Sequence, residues 1–313
     1  MNIENIDIPV LSPDQNFKRQ SPTLEAFRRF RHHRSAQIGM ALFGLMFFMA
    51  IFAPLISPFD PTTPLDNVKR RSPPCVHIFG CPADQPEHLM GIDSNNRDLF
   101  SRVVFVAQLS LQIGIITISF AIILGGLIGA LSGFMGGWLD NIMMRFMDIL
   151  MAFPGLLLAI AIVSVLGPGL INALLAIGIV TIPIYARVVR SSVLAVKNLD
   201  YVDASRALGA SKMRLIFTRI LPNALTPLIV QGTLGIASAI LNSAALSFLG
   251  LGAQPPTPEW GLMLGSEAES VFNAPHLVFF PGLAIMMTVL SFNLIGDGLR
   301  DALDPRLRGT GPK

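Results

Sequence analysis

The sequence predicts an all-α polytopic membrane protein with six transmembrane helices. Three features predict it. Hydrophobic residues make up 52% of the 313 positions and charged residues only 14%, where soluble domains carry roughly 25% charge. The apolar residues gather into uncharged runs close to the roughly 20 residues that a bilayer-crossing helix needs. Lys and Arg are distributed unequally between the connections, as the positive-inside rule requires of a multi-span chain. The formal charge is only +3 and the cations are scattered between apolar runs. That arrangement gives no phosphate-tracking face, so no nucleic-acid partner is expected.

Residues 1–35 are polar and basic. They contain no short apolar core followed by a small-residue cleavage site, so they read as a tail and not as a secretory signal. The first span is 36–56, ending around Pro54 and Pro58. Residues 57–105 are rich in Pro, Asp and Asn and are read as a water-exposed loop. The uncharged stretch 107–139 is longer than one span needs; the helix is placed at 109–131, with a glycine-rich turn over 132–137. A carboxylate at the bilayer centre costs about 2.5–3.5 kcal/mol, so the third span is begun after Asp148, at 149–166. Asp148 and Arg145 then sit one helical turn apart at the interface, where an ion pair between them is expected. Gly167-Pro168-Gly169 makes a tight hairpin into the fourth span, 170–186, closed by Arg187 and Arg190. The fifth span is 224–246 and the sixth 277–295, with Asp297, Arg300 and Asp301 marking its end and residues 307–313 forming a tail.

Six spans put both termini on one side. With that side cytoplasmic, only Lys69, Arg70, Arg71, Arg97 and Arg102 of the 23 Lys and Arg residues fall outside. The loop 57–105 is then extracytoplasmic. Its two cysteines, Cys75 and Cys81, are either unpaired thiols or a loop-closing disulfide, and an exported loop favours the disulfide. Neither His77 nor His88 stands at a spacing that would make a zinc site with them, so no metal site is expected.

Between spans four and five lies a segment of 187–222, far longer than the roughly two to eight residues usual between packed helices. It reads as two short helices broken at Gly209, a position suited to a left-handed helix end, with Ser211 capping the second. Met213, Ile216, Phe217 and Ile220 share one face of the second piece, as in a helix lying along the inner membrane surface. In the first piece Ala204, Ala207 and Gly209 leave a thin ridge that another protein can approach closely, with Asp203 and Arg206 to orient it.

This segment resembles the cytoplasmic EAA motif of permease subunits in binding-protein-dependent ABC importers. That motif has the form Glu-Ala-Ala, three residues, Gly, nine residues, Ile, one residue, Leu-Pro. Asp203-Ala204-Ser205 stands for the triplet, Gly209 falls at the right distance, and Leu221-Pro222 close the motif. Arg219 occupies the Ile position and Ile220 follows one residue late, as in peptide-type permeases. Further similarity points to the dipeptide, oligopeptide and nickel permease group, and to the second (C-type) of its two permease subunits. His88, Gly91, Asp93, Arg97 and Asp98 resemble a His-x-x-Gly-Thr-Asp-x-x-Gly-Arg-Asp signature, with Ile92 and Asn96 in place of Thr and Gly. The stretches from Ser247 to Trp260-Gly261 and from Phe292 to Asp304-Pro305 are also similar to the group. The resemblance covers 88–305.

The resemblance implies the type I ABC importer permease fold, with a cytoplasmic coupling helix formed by Asp203, Ala204, Ser205, Arg206 and Gly209 and joined by Leu221 and Pro222 to span five. It implies a heterodimer with a homologous second permease subunit, two cytoplasmic ATPase subunits and an extracytoplasmic substrate-binding protein, in a bacterial inner membrane. ATP and Mg would be bound by the ATPases, since this chain has no Gly-x-x-x-x-Gly-Lys-Ser/Thr loop to cradle phosphates. It would be a non-catalytic subunit. The substrate would be a di- or oligopeptide, with nickel chelates and other small solutes as alternatives within the group. Gly125, Gly126, Gly129, Pro154, Gly155 and Pro183 suit rocking helices but are also common wherever membrane helices pack.

Other classes fit less well, and composition alone also admits a non-transport membrane scaffold, against which only the matched motifs argue. A secondary transporter or channel needs ionisable groups at membrane depth, and the six predicted spans have none. An intramembrane enzyme needs a nucleophile with a base or a metal cluster, and neither His-Glu-x-x-His nor Gly-x-Ser-x-Gly occurs.

Overall fold

The computed structural model describes residues 22–82 and 85–303. Lys18, Arg19, Asp304-Pro305 and the tail 307–313 lie outside the described residues. The described chain is almost entirely helical. Helices α1 (Pro22–His32), α2 (Arg34–Ile56), α3 (Leu99–Met135), α4 (Gly137–Met151), α5 (Gly155–Leu166) and α6 (Leu170–Val196) come first. They are followed by α7 (Asp200–Ala207), α8 (Lys212–Leu215), α9 (Leu221–Phe248), α10 (Trp260–Glu267) and α11 (His276–Leu303). Five of these are long and apolar enough to cross a membrane, and α4 with α5 makes a sixth, broken span bent by 91°.

The bundle has two ends. Residues 57–98, the hairpin at Gly167–Gly169 and the stretch 249–275 gather at one, here the loop end: Gly169 N–H donates to the Leu251 carbonyl, and Trp260 Nε1 to that of Val103. Helices α7 and α8 lie at the other, the base. The buried residues form two clusters. One, around Trp260, Leu99, Leu277 and Phe292, packs α2, α3, α9, α10 and α11 towards the loop end. The second, around Tyr185, Val189, Leu215 and Ile220, packs α3, α6 and α9 and runs down into the base.

Several observed helices run past the charges that bound the predicted spans. The loop expected over 57–105 ends at Asp98, and α3 runs for 37 residues, not the 23 of 109–131. At about 1.5 Å per residue it is far longer than a hydrocarbon core of about 30 Å. Its first turns hold Arg102, 3% exposed, which spends its charge inside the protein: Nη1 donates to the Pro61 carbonyl at 2.9 Å and Nε lies 3.6 Å from Asp93. The glycine-rich turn is shorter than expected. Helix α3 continues through Ser132 to Met135, and only Gly136 and Gly137 take left-handed φ, at 64° and 60°. Helix α6 likewise continues through Arg187 and Arg190, so the first ten residues of the expected 187–222 segment are span. Helix α11 carries Asp297, Arg300 and Asp301 within its last turns.

The third span is the largest correction. Residues 149–166 are not one helix. Helix α4 ends at Met151, and α5 starts after Pro154, which lacks the N–H that an uninterrupted helix would use. Twelve residues of α5 reach about 18 Å. Asp148 pairs with Arg187 of α6 at 2.6 Å and not with Arg145, because α4 packs against α6.

The signature residues His88 to Asp98 fold into a hydrogen-bonded plug on the N-terminus of α3. Asp98 caps the helix, accepting from Ser101 N–H at 2.8 Å and Ser101 Oγ at 2.7 Å, and His88 Nδ1 lies 2.9 Å from its other oxygen. Asp93 accepts from the N–H groups of Asn95 and Arg97 and from Arg97 Nε, all at 2.8 Å. Across the loop end, Glu267 accepts from Ser94. Glu259 caps α10 by accepting from Leu262 N–H at 2.8 Å, and burial pushes its carboxyl above the usual carboxylate range. Cys75 and Cys81 are joined by a disulfide, with Cα atoms 5.3 Å apart.

Asn96 has φ of +59°. Asn is the residue after Gly that tolerates this region most readily, which accounts for its standing at a Gly position of the signature. Asn96→Gly should therefore leave thermal stability nearly unchanged, whereas Asn96→Val should lower it by about 1–2 kcal/mol. Melting of the purified variants in detergent checks the pair.

Candidate docking site

Helix α7 is only eight residues long, too short to persist alone in water, and tertiary contacts must hold it. Asp200 and Asp203 in its first turn and Arg206 in its last suit the helix dipole. Val202 is fully buried and anchors the inner face. Tyr201 reaches the start of α9: its hydroxyl donates to the Arg219 carbonyl at 3.3 Å and accepts from Asn223 Nδ2 at 2.9 Å. The same Asn223 amide donates to the Arg219 carbonyl at 2.7 Å.

The C-terminus of α7 closes in a Schellman arrangement. Gly209 N–H donates to the Arg206 carbonyl at 3.0 Å and Ala210 N–H to that of Ser205 at 3.1 Å. Gly209 has φ of +79°, and a Cβ built on it would meet nothing within 4 Å. Its requirement is for backbone conformation alone. Ser211 then caps α8, accepting from Arg214 N–H at 3.4 Å. Residues Ile216–Ile220 form a wide π-helical turn, which leads without a break into α9. Leu215, Ile216 and Ile220 are buried. The second piece is thus not a helix lying free along a membrane. It is the root of α9, while Met213 and Phe217 border an apolar hollow of about 360 Å³ shared with Ile122, Gly126 and Leu225.

The predicted residues separate into two groups. Asp203, Ala204, Arg206 and Gly209 all face outward on one ridge, and Asp203 and Arg206 pair with each other at 2.8 Å. Ser205 is half-buried and turns inward, donating to the Tyr201 carbonyl at 2.8 Å. Leu221 and Pro222 do not join the ridge. Pro222 sits where the π-helical turn passes into α9. Besides the anchor Val202, three contributors lie outside the residues that the sequence points to. Tyr201 and Asn223 do the fastening, and Leu208 stands at the tip, 89% exposed. The signal for Leu208 was present: a large apolar residue just before a left-handed glycine leaves the helix where no core can reach it.

Behind the ridge, the basal ends of α3, α4 and α6 are pinned together. Asp140 of α4 and Arg190 of α6 form a bidentate pair at 2.6 and 2.7 Å, and Ser132 of α3 donates to the same carboxylate. Lys197, between α6 and α7, donates to the Gly133 carbonyl at 2.9 Å. Among the described residues no group of three His, Cys, Asp or Glu side chains is placed to hold a metal ion.

A six-span bundle of apolar helices with a short, capped ridge at its base defines a polytopic membrane protein. The chain belongs to the family described as the binding-protein-dependent transport system inner membrane component, which matches residues 121–309. It is accordingly a multi-pass protein of the inner membrane. Residues 21–74 match a second family, the N-terminal transmembrane domain of oligopeptide transport permease C. The dipeptide transport system permease protein DppC of Alkalihalophilus pseudofirmus is 45% identical, over 95% of this chain and 94% of its own length. The di/tripeptide transport system permease protein DppC of Pseudomonas aeruginosa is 46% identical over 94% and 96%. The glutathione transport system permease protein GsiD of Escherichia coli is 43% identical over 96% and 95%. Among solved structures, a chain of the MetNI methionine ABC transporter in an inward-facing conformation superposes with a TM-score of 0.54, covering 65% of this chain and 97% of its own at 20% identity. The fold is that of type I ABC importer permeases.

Proposed function

We propose that this chain is one of two permease subunits of an ATP-driven importer of di- and oligopeptides, and that the α7 ridge is where an ATPase subunit docks. The observation that carries the docking reading is the ridge itself. Asp203, Ala204, Arg206, Leu208 and Gly209 are exposed together on a helix fastened from behind by Val202 and Tyr201. A short helix with small residues outward and one apolar tip is shaped to enter a cleft. The peptide reading rests on the relatives, which carry dipeptide, di/tripeptide and glutathione permease names and match nearly end to end.

The base faces the cytoplasm, because that orientation leaves only five of the 23 Lys and Arg residues outside, and both termini are cytoplasmic. The homologous second permease subunit completes the pathway, and an extracytoplasmic binding protein delivers substrate to the loop end. ATP and Mg are held by the two ATPase subunits. This chain contributes no catalytic group; it converts ATPase closure into helix movement.

Gly209→Arg tests the docking. It puts a long side chain on the ridge at a left-handed position. Co-purification of the ATPase subunits with the permease should fall by roughly tenfold or more, as at a binding hot spot. Undiminished co-purification and uptake would refute the assignment.

A further inference from the structure

Helix α4 occupies an unusual position in the chain. At its start, Gly136 and Gly137 both take left-handed φ, and a Cβ on either would meet nothing. At its end the helix breaks over Ala152, Phe153 and Pro154 before α5 sets off at 91°. The continuous helical hydrogen-bond ladder is therefore interrupted at both joints, and side chains help to set the orientation of α4. Met144, Met147 and Leu150 pack it against the core without fixing its register, Asp148 reaches Arg187 at 2.6 Å, and Asp140 makes the bidentate pair with Arg190. The Asp148 pair is half exposed on both sides, with side chains 49% and 48% exposed, whereas the Asp140 and Arg190 side chains are 12% and 34% exposed and Asp140 shares its carboxylate with the fully buried Ser132. An exposed single-contact ion pair fixes little; a part-buried, bidentate one with a buried hydroxyl on the same carboxylate fixes a geometry.

The other side of the joint is rigid. Gly125, Gly129 and Gly133, spaced four apart on α3, lie directly on the α6 backbone at Ile182, Ala186 and Arg190. Helices this close cannot slide independently. Arg190 is two turns before the end of α6, and only Lys197, Asn198 and Leu199 separate that end from α7. The last of the α3 glycines, Gly133, accepts from Lys197, so the stem of the ridge is held as well.

We infer that Asp140 and Arg190 are positioning residues for energy coupling: their ion pair locks α4 to the α3–α6 unit, so that displacement of the docking ridge is carried through α4 into the broken span at Pro154. Without the lock the ridge still docks, but α5 no longer follows it. The inference rests on the docking reading proposed above, and the two fail differently: Gly209→Arg reports on assembly, the variants below on coupling within an assembled complex.

The experiment uses the whole importer, with both permease subunits, both ATPases and the binding protein, in proteoliposomes. Its readouts are uptake of a radiolabelled dipeptide that the wild type accumulates, ATP hydrolysis with and without loaded binding protein, and co-purification of the ATPases. Asp140→Asn and Arg190→Gln keep the shapes and remove the charge pairing. Each should leave co-purification and basal hydrolysis at wild-type levels while lowering uptake by roughly tenfold, in the range that site-to-site couplings span, and should blunt stimulation by the binding protein. Ser132→Ala, which removes a hydroxyl without stranding a charge, should give a smaller loss of the same kind. Combining Asp140→Arg with Arg190→Asp should restore uptake. Three outcomes overturn the inference: wild-type uptake in both single variants; loss of ATPase co-purification in Ser132→Ala; or a charge-exchanged double variant that assembles yet stays as uncoupled as the singles.

Discussion

Gly129→Leu is expected to abolish accumulation of folded protein. At Gly129 the α3 and α6 backbones are in contact, and even a Cβ there would collide with the Ala186 carbonyl, with Arg190 N–H close behind. A carbonyl in a helix cannot rotate away, so the two helices must separate. Gly125, whose Cβ would stand 2.6 Å from the Ile182 carbonyl, and Gly133 would lose their contacts with it. Overpacking a single core site costs about 1–3 kcal/mol; opening a seam that runs along two spans costs more, and a native state rarely has more than about 5–15 kcal/mol to lose. Gly126→Ala is the control. Its Cβ would point into the hollow beside Leu225 and meet nothing within 4 Å, so its effect should stay within about 0.5 kcal/mol. Size-exclusion profiles of fluorescently tagged variants after graded heating discriminate the two. Equal melting of Gly129→Leu and wild type would refute the close-packed seam.

Asp98→Ala should have the next largest effect. The carboxylate is 1% exposed and serves three donors: Ser101 N–H, Ser101 Oγ and the His88 ring. Removing it takes away the cap of a 37-residue helix, typically about 1 kcal/mol. It also leaves the buried His88 without that partner, about 1–3 kcal/mol more. His88 Nε2 already lacks a hydrogen-bond partner, so the ring has no second bond to fall back on. A loss of about 3 kcal/mol follows from these two contributions, measurable as a lowered melting temperature. Asp98→Asn, which retains one acceptor oxygen, should fall between. A melting temperature unmoved in Asp98→Ala would show that the plug at 88–98 is not what starts α3.

The six apolar runs were legible because desolvating a charge outweighs several favourable residues, and so a hydropathy pattern reports where lipid lies. That same logic misplaced boundaries. Arg102 looked like the end of a loop, yet it is buried within α3 because Pro61 and Asp93 receive it from loop residues some distance back in the chain. The break at Pro154 was invisible to hydropathy, since a bend changes direction and not polarity. Asp148 was matched to Arg145 by sequence proximity, whereas its partner Arg187 stands 39 residues away on another helix. The pairing of Asp140 with Arg190, 50 residues apart, has the same character: both side chains are plain in the sequence, and only packing brings them together. At the ridge the balance is reversed. Gly209 as a left-handed helix end and Ser211 as a cap are local requirements of the backbone, readable from a dozen residues. The Tyr201 and Asn223 fastening joins elements that a local reading keeps separate.

Leu208 bears on how the sequence of such a subunit can drift. At 89% exposure it gives the chain that carries it almost no stability, and replacing it should leave the melting of the isolated subunit unchanged. Val202, one and a half turns earlier on the same short helix, is wholly enclosed and answers to the subunit's own fold. Two apolar residues six positions apart are therefore subject to different selection. Val202 can change only in step with its neighbours in this chain; Leu208, if the ridge docks as proposed, changes in step with a surface encoded elsewhere.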